Sequence, residues 1–137
     1  MAVYDVVPDS EAAYDFVCRF FLVGRTEQMK GLCLRRDDET IAAVIFDDFN
    51  GQNVFMHCAA IPGKKWLNRH FLHEAFKHPF VTLGAGRITL WIETTNTQSI
   101  SFARHLGFRH ETVLEQAGQG GADVAIYRMF REECRYA

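Results

Sequence analysis

Several features are missing from this chain, and each absence excludes a class of protein. The 137 residues carry a formal net charge of −2, so the basic surplus typical of sequence-independent nucleic-acid binders is missing. No apolar run approaches the roughly 20 residues of a membrane-spanning helix. The first residues, with Asp5 and Asp9, lack the basic-then-apolar pattern of a signal peptide. These absences favour a cytoplasmic protein that binds neither nucleic acid nor membranes.

The cysteines and histidines also lack the spacing of a disulfide framework or a metal site. The four cysteines are widely separated and form no Cys-x-x-Cys pair, which favours reduced thiols. His73-Glu74 is followed by His78 one residue too late for a zinc-protease helix, which rotates His78 by about 140° from His73. We therefore expect no metal.

What the chain does contain is enough apolar residues for one core. Hydrophobic residues make up 48% of it, and twelve are Phe, so residues 1–137 are expected to form one domain. The order of patterns, β-α-β-β-β-α-β-α-β-β, predicts an α/β fold with a mixed sheet of about seven strands and flanking helices. The predicted strands are residues 2–7, 29–35, 41–46, 53–61, 87–94, 108–116 and 122–130.

Local signals predict where the helices and turns lie. A helix capped by Asp9 or Ser10 is expected to end near Gly24, and a second is expected over residues 64–77, ended by Pro79. A third, short helix is expected to be capped by Thr97, after Asn96, and ended by Gly107. The Asn50-Gly51 pair predicts a hairpin, because both residues tolerate positive φ.

The last third of the chain carries a resemblance to a known family. Its order of strand, Asn, short helix, Gly-Phe and hairpin resembles the GNAT N-acetyltransferase superfamily, and most closely the branch that acetylates ribosomal-protein N-termini. The resemblance implies an N-acetyltransferase that moves acetyl from acetyl-CoA to a primary amine by direct attack in a ternary complex. The matching residues are Asn96, Ser99, Ala103, Leu106, Gly107, Phe108, Glu111, Gly121, Asp123, Ile126 and Tyr127.

The same resemblance implies an acetyl-CoA site between two central strands that splay apart, here residues 53–61 and 87–94. Backbone groups would pair with the pantetheine arm as an added strand does, and Asn96 would bind the arm. The pyrophosphate would lie at the start of the second helix, where unpaired N–H groups and the helix dipole favour an anion. The implied cofactor-binding residues are Cys58, Ala59, Ala60, Ile61, Gly63, Lys64, Lys65, Trp66, Asn96 and Phe102.

The phosphate loop departs from the family pattern, which is Gln/Arg-x-x-Gly-x-Gly/Ala. Ala60 stands where the family has Gln or Arg, and Lys65 stands where it has the second small residue. Gly63 and two lysines are what this chain offers instead. An alternative hypothesis is therefore a non-catalytic GNAT-fold binding or assembly module with a degraded cofactor loop.

The resemblance implies different acids and bases from those most common in the family. Ser99 matches the serine proposed to protonate the leaving thiolate, while Ala103 occupies the position of the usual Tyr. The general base is open between Glu93 and Glu115, because Gly118 stands where the matching branch carries a Glu. The attacking amine must be neutral, so a carboxylate or a water chain has to take its proton.

The acceptor and the assembly stay open at this level. A small-molecule amine and a protein N-terminus are both compatible with the pattern, and so is a homodimer. An RNA-binding α/β domain is a third hypothesis, but the chain has neither the basic face nor the stacking residues for it.

Overall fold

The computed structural model describes residues 2–63 and 68–137. Within those ranges the helices and strands follow the order predicted from the sequence. The strands are β1 (Tyr4–Val7), β2 (Lys30–Arg36), β3 (Glu39–Asp47), β4 (Asn53–Ala60), β5 (Arg87–Glu93), β6 (Arg109–Leu114) and β7 (Val124–Phe130), and the helices are α1 (Ser10–Cys18), α2 (Arg69–Lys77) and α3 (Thr97–Leu106).

The strands form one mixed sheet of seven strands in the order β1-β2-β3-β4-β5-β7-β6. Every neighbouring pair is antiparallel except β4 and β5, which run parallel. A parallel pair needs a long crossover connection, and the segment containing α2 supplies it. The predicted α/β fold with a mixed sheet is confirmed.

Two apolar layers cover the two faces of the sheet. On one face, α1 packs Phe16 and Val17 against Ala43 and Ile45 of β3. On the other face, a larger layer includes Phe71 and Phe76 of α2 and Leu106 of α3. Strand β3 is buried from Ile41 to Asp47, as expected for a central strand covered on both sides.

Polar side chains cap the N-termini of α1 and α3. The Asp9 carboxylate accepts a hydrogen bond from the Ala12 N–H at 3.0 Å and starts α1. At α3 the cap is Asn96, whose Oδ1 accepts from the Ser99 N–H at 3.2 Å, and not Thr97 as predicted. Gly107 ends α3 with a φ of 107°, the left-handed conformation that favours glycine, as predicted.

The prediction that α1 runs toward Gly24 is wrong, because the helix ends at Cys18. Phe21 and Val23 still reach the apolar layer beside α1, but from a segment outside the helix. The Tyr14 hydroxyl donates to the Val23 carbonyl at 2.7 Å and holds that segment. The apolar residues keep their helical spacing beyond Cys18, which is why the sequence predicted a longer helix.

The start predicted for the second helix, residue 64, is also wrong. Asn68 is extended, with φ −85° and ψ 126°, and its Oδ1 accepts from the Phe71 N–H at 3.0 Å, so α2 begins at Arg69. Residues 64–67 lie outside the described part of the chain. The α-helix ends at Lys77, before Pro79 as expected, and a single π-helical turn follows.

Asn50 and Gly51 do lie in the turn between β3 and β4, but the connection is longer than a two-residue hairpin. Five residues separate Asp47 from Asn53. The Asn50 side chain accepts from the N–H groups of Gln52 and Asn53, which shapes this wider turn.

Candidate active site

A cleft opens in the sheet where β4 and β5 separate. The two strands pair over only three positions, from Asn53 with Arg87 to Phe55 with Thr89. Beyond them, residues 56–60 and 90–93 form opposite walls of a cavity of about 670 Å³. The splay expected between these two strands is therefore present, and the cavity has the size of a small-molecule site.

The backbone of β4 turns alternate residues toward this cleft. The Ile61 N–H donates to the Ile41 carbonyl of β3 at 2.9 Å. Because successive N–H and C=O groups of a strand point to opposite edges, Ala59 and Ile61 face β3. The backbone groups of Cys58 and Ala60 then face the cleft, where β5 is too far away to pair with them. Of the four strand residues expected to bind the cofactor arm, these two have the required orientation.

The Cys58 thiol lies in the cleft wall but is not activated. Burial raises the pKa of Cys58 to about 12, so the side chain stays a neutral thiol at physiological pH. A neutral thiol is a poor nucleophile. What this position offers to a ligand is therefore its backbone.

Helix α3 brings several predicted residues to the cleft. Asn96, Ser99 and Phe102 line it, and Ala103 lies beside them. The Asn96 oxygen is used to cap α3, which leaves the amide NH₂ as the group that can donate to a ligand. Asn96 and Ser99 are held together by this cap at the start of the helix.

Glu93 lies at the open end of β5 and lines the cleft. Its Oε2 accepts from the Gln119 N–H at 3.1 Å, which ties the β6–β7 connection to β5. A side chain at Gly118 would meet this carboxylate, since a Cβ built there lies 3.0 Å from the Glu93 Cγ. Glu93 thus occupies the space that a larger residue at position 118 would take. Glu115 is exposed after β6 and is not among the described residues that line the cleft.

The expected phosphate end is described only in part. Gly63 is exposed with a φ of 81° and borders the cleft, so its backbone is open to a ligand. Lys64, Lys65 and Trp66 lie outside the described residues. The cap Asn68 occupies the Phe71 N–H, which leaves the N–H groups of Arg69 and His70 as first-turn donors of α2.

His57 is a site residue that the sequence reasoning missed. Ala59 of β4 packs in the layer beside α1, whereas Met56 and Cys58 pack in the layer beside α2, so alternation turns His57 toward α1. Burial lowers the pKa of His57 to about 4, and the nearby Asp47 opposes that shift. A histidine inside an otherwise apolar strand was the signal that could have identified it.

A second cavity, of about 460 Å³, lies on the α1 side of the sheet. The side chains of Leu22, His57 and Trp91 line both cavities, so the two meet at these residues. The loop that covers the second cavity is held by Asp47, whose Oδ2 accepts from the Thr26 N–H at 3.0 Å. Phe21 and Leu22, from the segment after α1, also line the first cavity, so the two cavities adjoin on the α1 side of the sheet.

Comparison with known proteins identifies the fold. The sequence matches no protein-family model and no curated protein. The structure matches the dodecameric spermidine N-acetyltransferase of Vibrio cholerae with a TM-score of 0.75 and 12% identity, over 94% of each chain. It also matches an acetyltransferase of the GNAT family from Bacillus anthracis with a TM-score of 0.64 and 17% identity, over 75% of this chain and 67% of the other. The fold is that of the GNAT acetyltransferases.

The same Vibrio enzyme in complex with manganese ions matches with a TM-score of 0.74 and 13% identity, over 94% of this chain and 93% of the other. Among the described residues of this chain, no group of three or more His, Cys, Asp and Glu side chains could hold a metal ion. No helix in the described ranges is long and apolar enough to cross a membrane.

Proposed function

We propose that this chain is an N-acetyltransferase that moves acetyl from acetyl-CoA to a primary amine by direct attack in a ternary complex. The observation that carries the proposal is the splay of β4 and β5, which leaves backbone groups of Cys58 and Ala60 facing a cavity of about 670 Å³. Strand edges without a partner are ready to bind an extended chain through its amides. A pantetheine arm is such a chain.

The described residues fit acetyl-CoA along its arm. Cys58 and Ala60 would pair with the two amides of pantetheine, and the Asn96 NH₂ would donate to the arm from the other wall. Phe102, half-buried beside Asn96, would cover its apolar part. Gly63 and the first turn of α2 would meet the phosphates, with Lys64, Lys65 and Trp66 of the intervening segment expected beside them.

When bound, acetyl-CoA supplies a thioester that an amine can attack. The Cys58 N–H, which faces the cleft farther from Gly63 than Ala60 does, would donate to the thioester oxygen and stabilise the negative charge that develops there. Ser99 would donate its hydroxyl proton to the departing thiolate and regain one from water. Glu93 would receive a proton from the amine, directly or through water, with Glu115 as the second candidate.

Direct attack is favoured over an acyl-enzyme because the cysteine thiol that lines the cleft is not activated as a nucleophile. Cys58 is the thiol in the cleft wall, and burial holds its pKa near 12. An acyl-enzyme route would need the thiolate form, which such a pKa disfavours.

The finer assignments belong to the same proposal. The ribosomal-protein branch is one candidate for the relationship, and the spermidine acetyltransferase that shares the fold suggests a small amine as an alternative acceptor. That neighbour is a dodecamer, which makes self-association, including a homodimer, worth testing here. A cytoplasmic location is part of the proposal as well.

The second candidate is a non-catalytic module, as the altered phosphate loop suggests. An obstructed cleft would favour it, and the two candidate plugs were Phe55 and Trp66. Phe55 lies outside the cleft lining, on the side of the second cavity, which supports the enzyme. Trp66 lies outside the described residues.

Titration calorimetry with acetyl-CoA, followed by detection of released thiol with an amine present, tests the proposal. We expect saturable binding and amine-dependent thiol release, and Ser99→Ala should lower kcat by about a hundredfold with little change in acetyl-CoA affinity. No binding at millimolar acetyl-CoA would refute the proposal. Binding without turnover of any amine would favour the module.

A further inference from the structure

The second cavity and His57 have no part in the scheme above, although they adjoin its reacting centre. The cavity is bounded by the segment of residues 22–26, by Asp47 and Asp48 at the end of β3, and by three ring side chains of the sheet. Those rings belong to Phe55, His57 and Trp91. Among the described residues, Leu22, His57 and Trp91 line both this cavity and the cleft.

The charge of the second cavity suits an amine. Arg25 is the one basic residue among its described lining residues, and the Glu11 carboxylate pairs with that guanidinium. Asp47 is buried and uses its carboxylate to hold Thr26 and the Asp48 N–H. The Asp48 carboxylate has no partner among the described residues, so the cavity has a net negative charge that attracts a cationic amine.

The walls favour a small acceptor with an apolar stem. Phe55 and Trp91 offer flat apolar surfaces, and Trp91 is 40% exposed, so much of its ring is open to contact. A volume of about 460 Å³ suits a small molecule more than a folded protein's N-terminal segment. An amine on a short aromatic or aliphatic stem would fill this space.

His57 lies where such an amine would cross from the second cavity into the cleft. Its imidazole has no hydrogen-bond partner among the described residues, and it is neutral because burial lowers its pKa to about 4. A neutral imidazole accepts a proton through one ring nitrogen. With so low a pKa it would take that proton only after the new N–C bond has begun to form, when the amine proton has become acidic.

Resting on the proposed function, we propose that the second cavity admits the acceptor, a small primary amine with an apolar stem, and that His57 accepts its proton during transfer. The bound ammonium first gives one proton, directly or through water, to Glu93, as in the proposed function, and the neutral amine then attacks. The N–C bond to the acetyl carbon forms and the C–S bond breaks. The electron pair of the C–S bond leaves with sulfur, which takes a proton from Ser99. The second amine proton, made acidic by the new N–C bond, moves to His57 and then to water, and Ser99 regains its proton from water.

Three variants test this assignment with phenethylamine as the small acceptor and an unblocked alanine-led tetrapeptide as the competing class. His57→Ala should lower kcat/KM for phenethylamine by about a hundredfold, with partial recovery in millimolar imidazole. Asp48→Asn removes the carboxylate of the second cavity that has no partner among the described residues and should raise KM for phenethylamine about tenfold. Asp38→Asn is the matched control and should behave like the parent, because Asp38 is also exposed with a positive φ but lines neither cavity.

Acetyl-CoA binding, measured by calorimetry on each variant, separates this inference from the proposed function. All three variants should bind acetyl-CoA like the parent, because none of the three side chains is among the groups proposed to contact the arm. If the parent binds acetyl-CoA but acetylates only the peptide, or neither acceptor, the inference is overturned while acetyl-CoA binding stands. Unchanged kinetics in both His57→Ala and Asp48→Asn would also overturn it. If the parent does not bind acetyl-CoA at all, both proposals fail together.

Discussion

The two halves of the β4–β5 pair differ in what holds the strands together. In the first half, residues 53–55 and 87–89 pair as parallel strands. Side chains reinforce that pairing, because the Arg87 Nε donates to the Asn53 Oδ1 at 3.2 Å and to the Thr89 Oγ1 at 3.1 Å. The same guanidinium binds Glu111 through two hydrogen bonds of 3.0 and 2.9 Å. We call this half the closed half.

In the other half, which we call the open half, residues 56–60 and 90–93 face each other across the cleft. The backbone groups of Cys58 and Ala60 turn toward it without a strand partner. The comparison teaches that one pair of strands can separate two tasks: side chains stabilise the closed half, and the unpaired backbone groups of the open half are the ones that we propose bind the ligand. Changes in the closed half should therefore alter stability, and changes in the open half should alter binding.

The largest effect is expected from removing a cleft-facing N–H. Ala60→Pro deletes the donor that faces the cleft but no β3 hydrogen bond, so the strand should tolerate it. Losing one hydrogen bond and adding a ring in the cleft should weaken acetyl-CoA binding by about 3 kcal/mol, roughly a hundredfold. Calorimetry measures the affinity, and urea unfolding verifies the fold.

The neighbouring position is the matched control for that change. Ala59 faces β3, opposite Ala43, so Ala59→Pro removes a hydrogen bond of the sheet and should destabilise the protein itself. If Ala60→Pro bound acetyl-CoA like the parent, the backbone orientation assigned to the open half would be wrong.

A histidine in the open half should make the stability of the protein fall at acid pH. The pKa of His57 is about 4 in the folded protein, because burial disfavours its charged form, against 6.5 for an ordinary histidine. Between those two values the unfolded chain binds a proton that the folded chain does not, so stability falls as the pH drops from 6.5 toward 4. By pH 5 this difference amounts to at most about 2 kcal/mol.

Urea unfolding of the parent and His57→Gln at pH 7 and pH 5 measures that contribution. The variant should lose less stability than the parent between the two pH values, since it has no imidazole to protonate. His70→Gln, an exposed histidine of α2, controls for the loss of any histidine. Equal losses in the parent and His57→Gln would contradict the lowered pKa and neutral state of His57.

Local signals in the sequence predicted the strands well, because strand pairing and helix ends leave short-range patterns. The apolar run of β3, the cap-type residues near 96 and Gly107 each act within a few positions. Three assignments stay predictions: the branch of the family, the identity of the general base, and the binding roles of the cleft residues. Each depends on a bound ligand. Asn96 was predicted to bind the pantetheine arm, and in the structure its side-chain oxygen caps α3.

The features that were missed depend on contacts between distant parts of the chain. The second cavity exists because Asp47 holds Thr26, 21 residues earlier, and no local pattern reports that contact. The start of α2 was misplaced because apolar spacing continues upstream of Asn68, although Asn is a common cap. His57 was overlooked because alternation along β4 does not reveal which face borders a cavity.

A smaller effect is expected in the closed half. Arg87→Ala removes two hydrogen bonds to Glu111 and leaves Asn53 and Thr89 without the guanidinium, which should cost about 1 kcal/mol of stability, because Glu111 is 40% exposed. The Arg87 hydrogen bond lowers the pKa of Glu111, so this contribution is present above the ordinary carboxyl pKa and is lost as the pH falls below it. Urea unfolding at pH 7 measures the loss, with exposed Arg131→Ala as the control. A larger change in acetyl-CoA affinity than in stability would contradict the division between the two halves.

The smallest effect should come from a side chain in the open half whose backbone, and not its thiol, is proposed to bind the cofactor arm. Cys58→Ala keeps the cleft-facing N–H and C=O and removes a thiol that its pKa of about 12 already makes unreactive. The rate with acetyl-CoA and an amine should therefore stay within about threefold of the parent. Initial-rate lines for both proteins should intersect when the two substrates are varied, because a ternary complex forms. Parallel lines in the parent, together with loss of turnover in Cys58→Ala but not in Cys33→Ala, would instead establish an acyl-thiol route and reassign the open half from backbone binding to covalent chemistry.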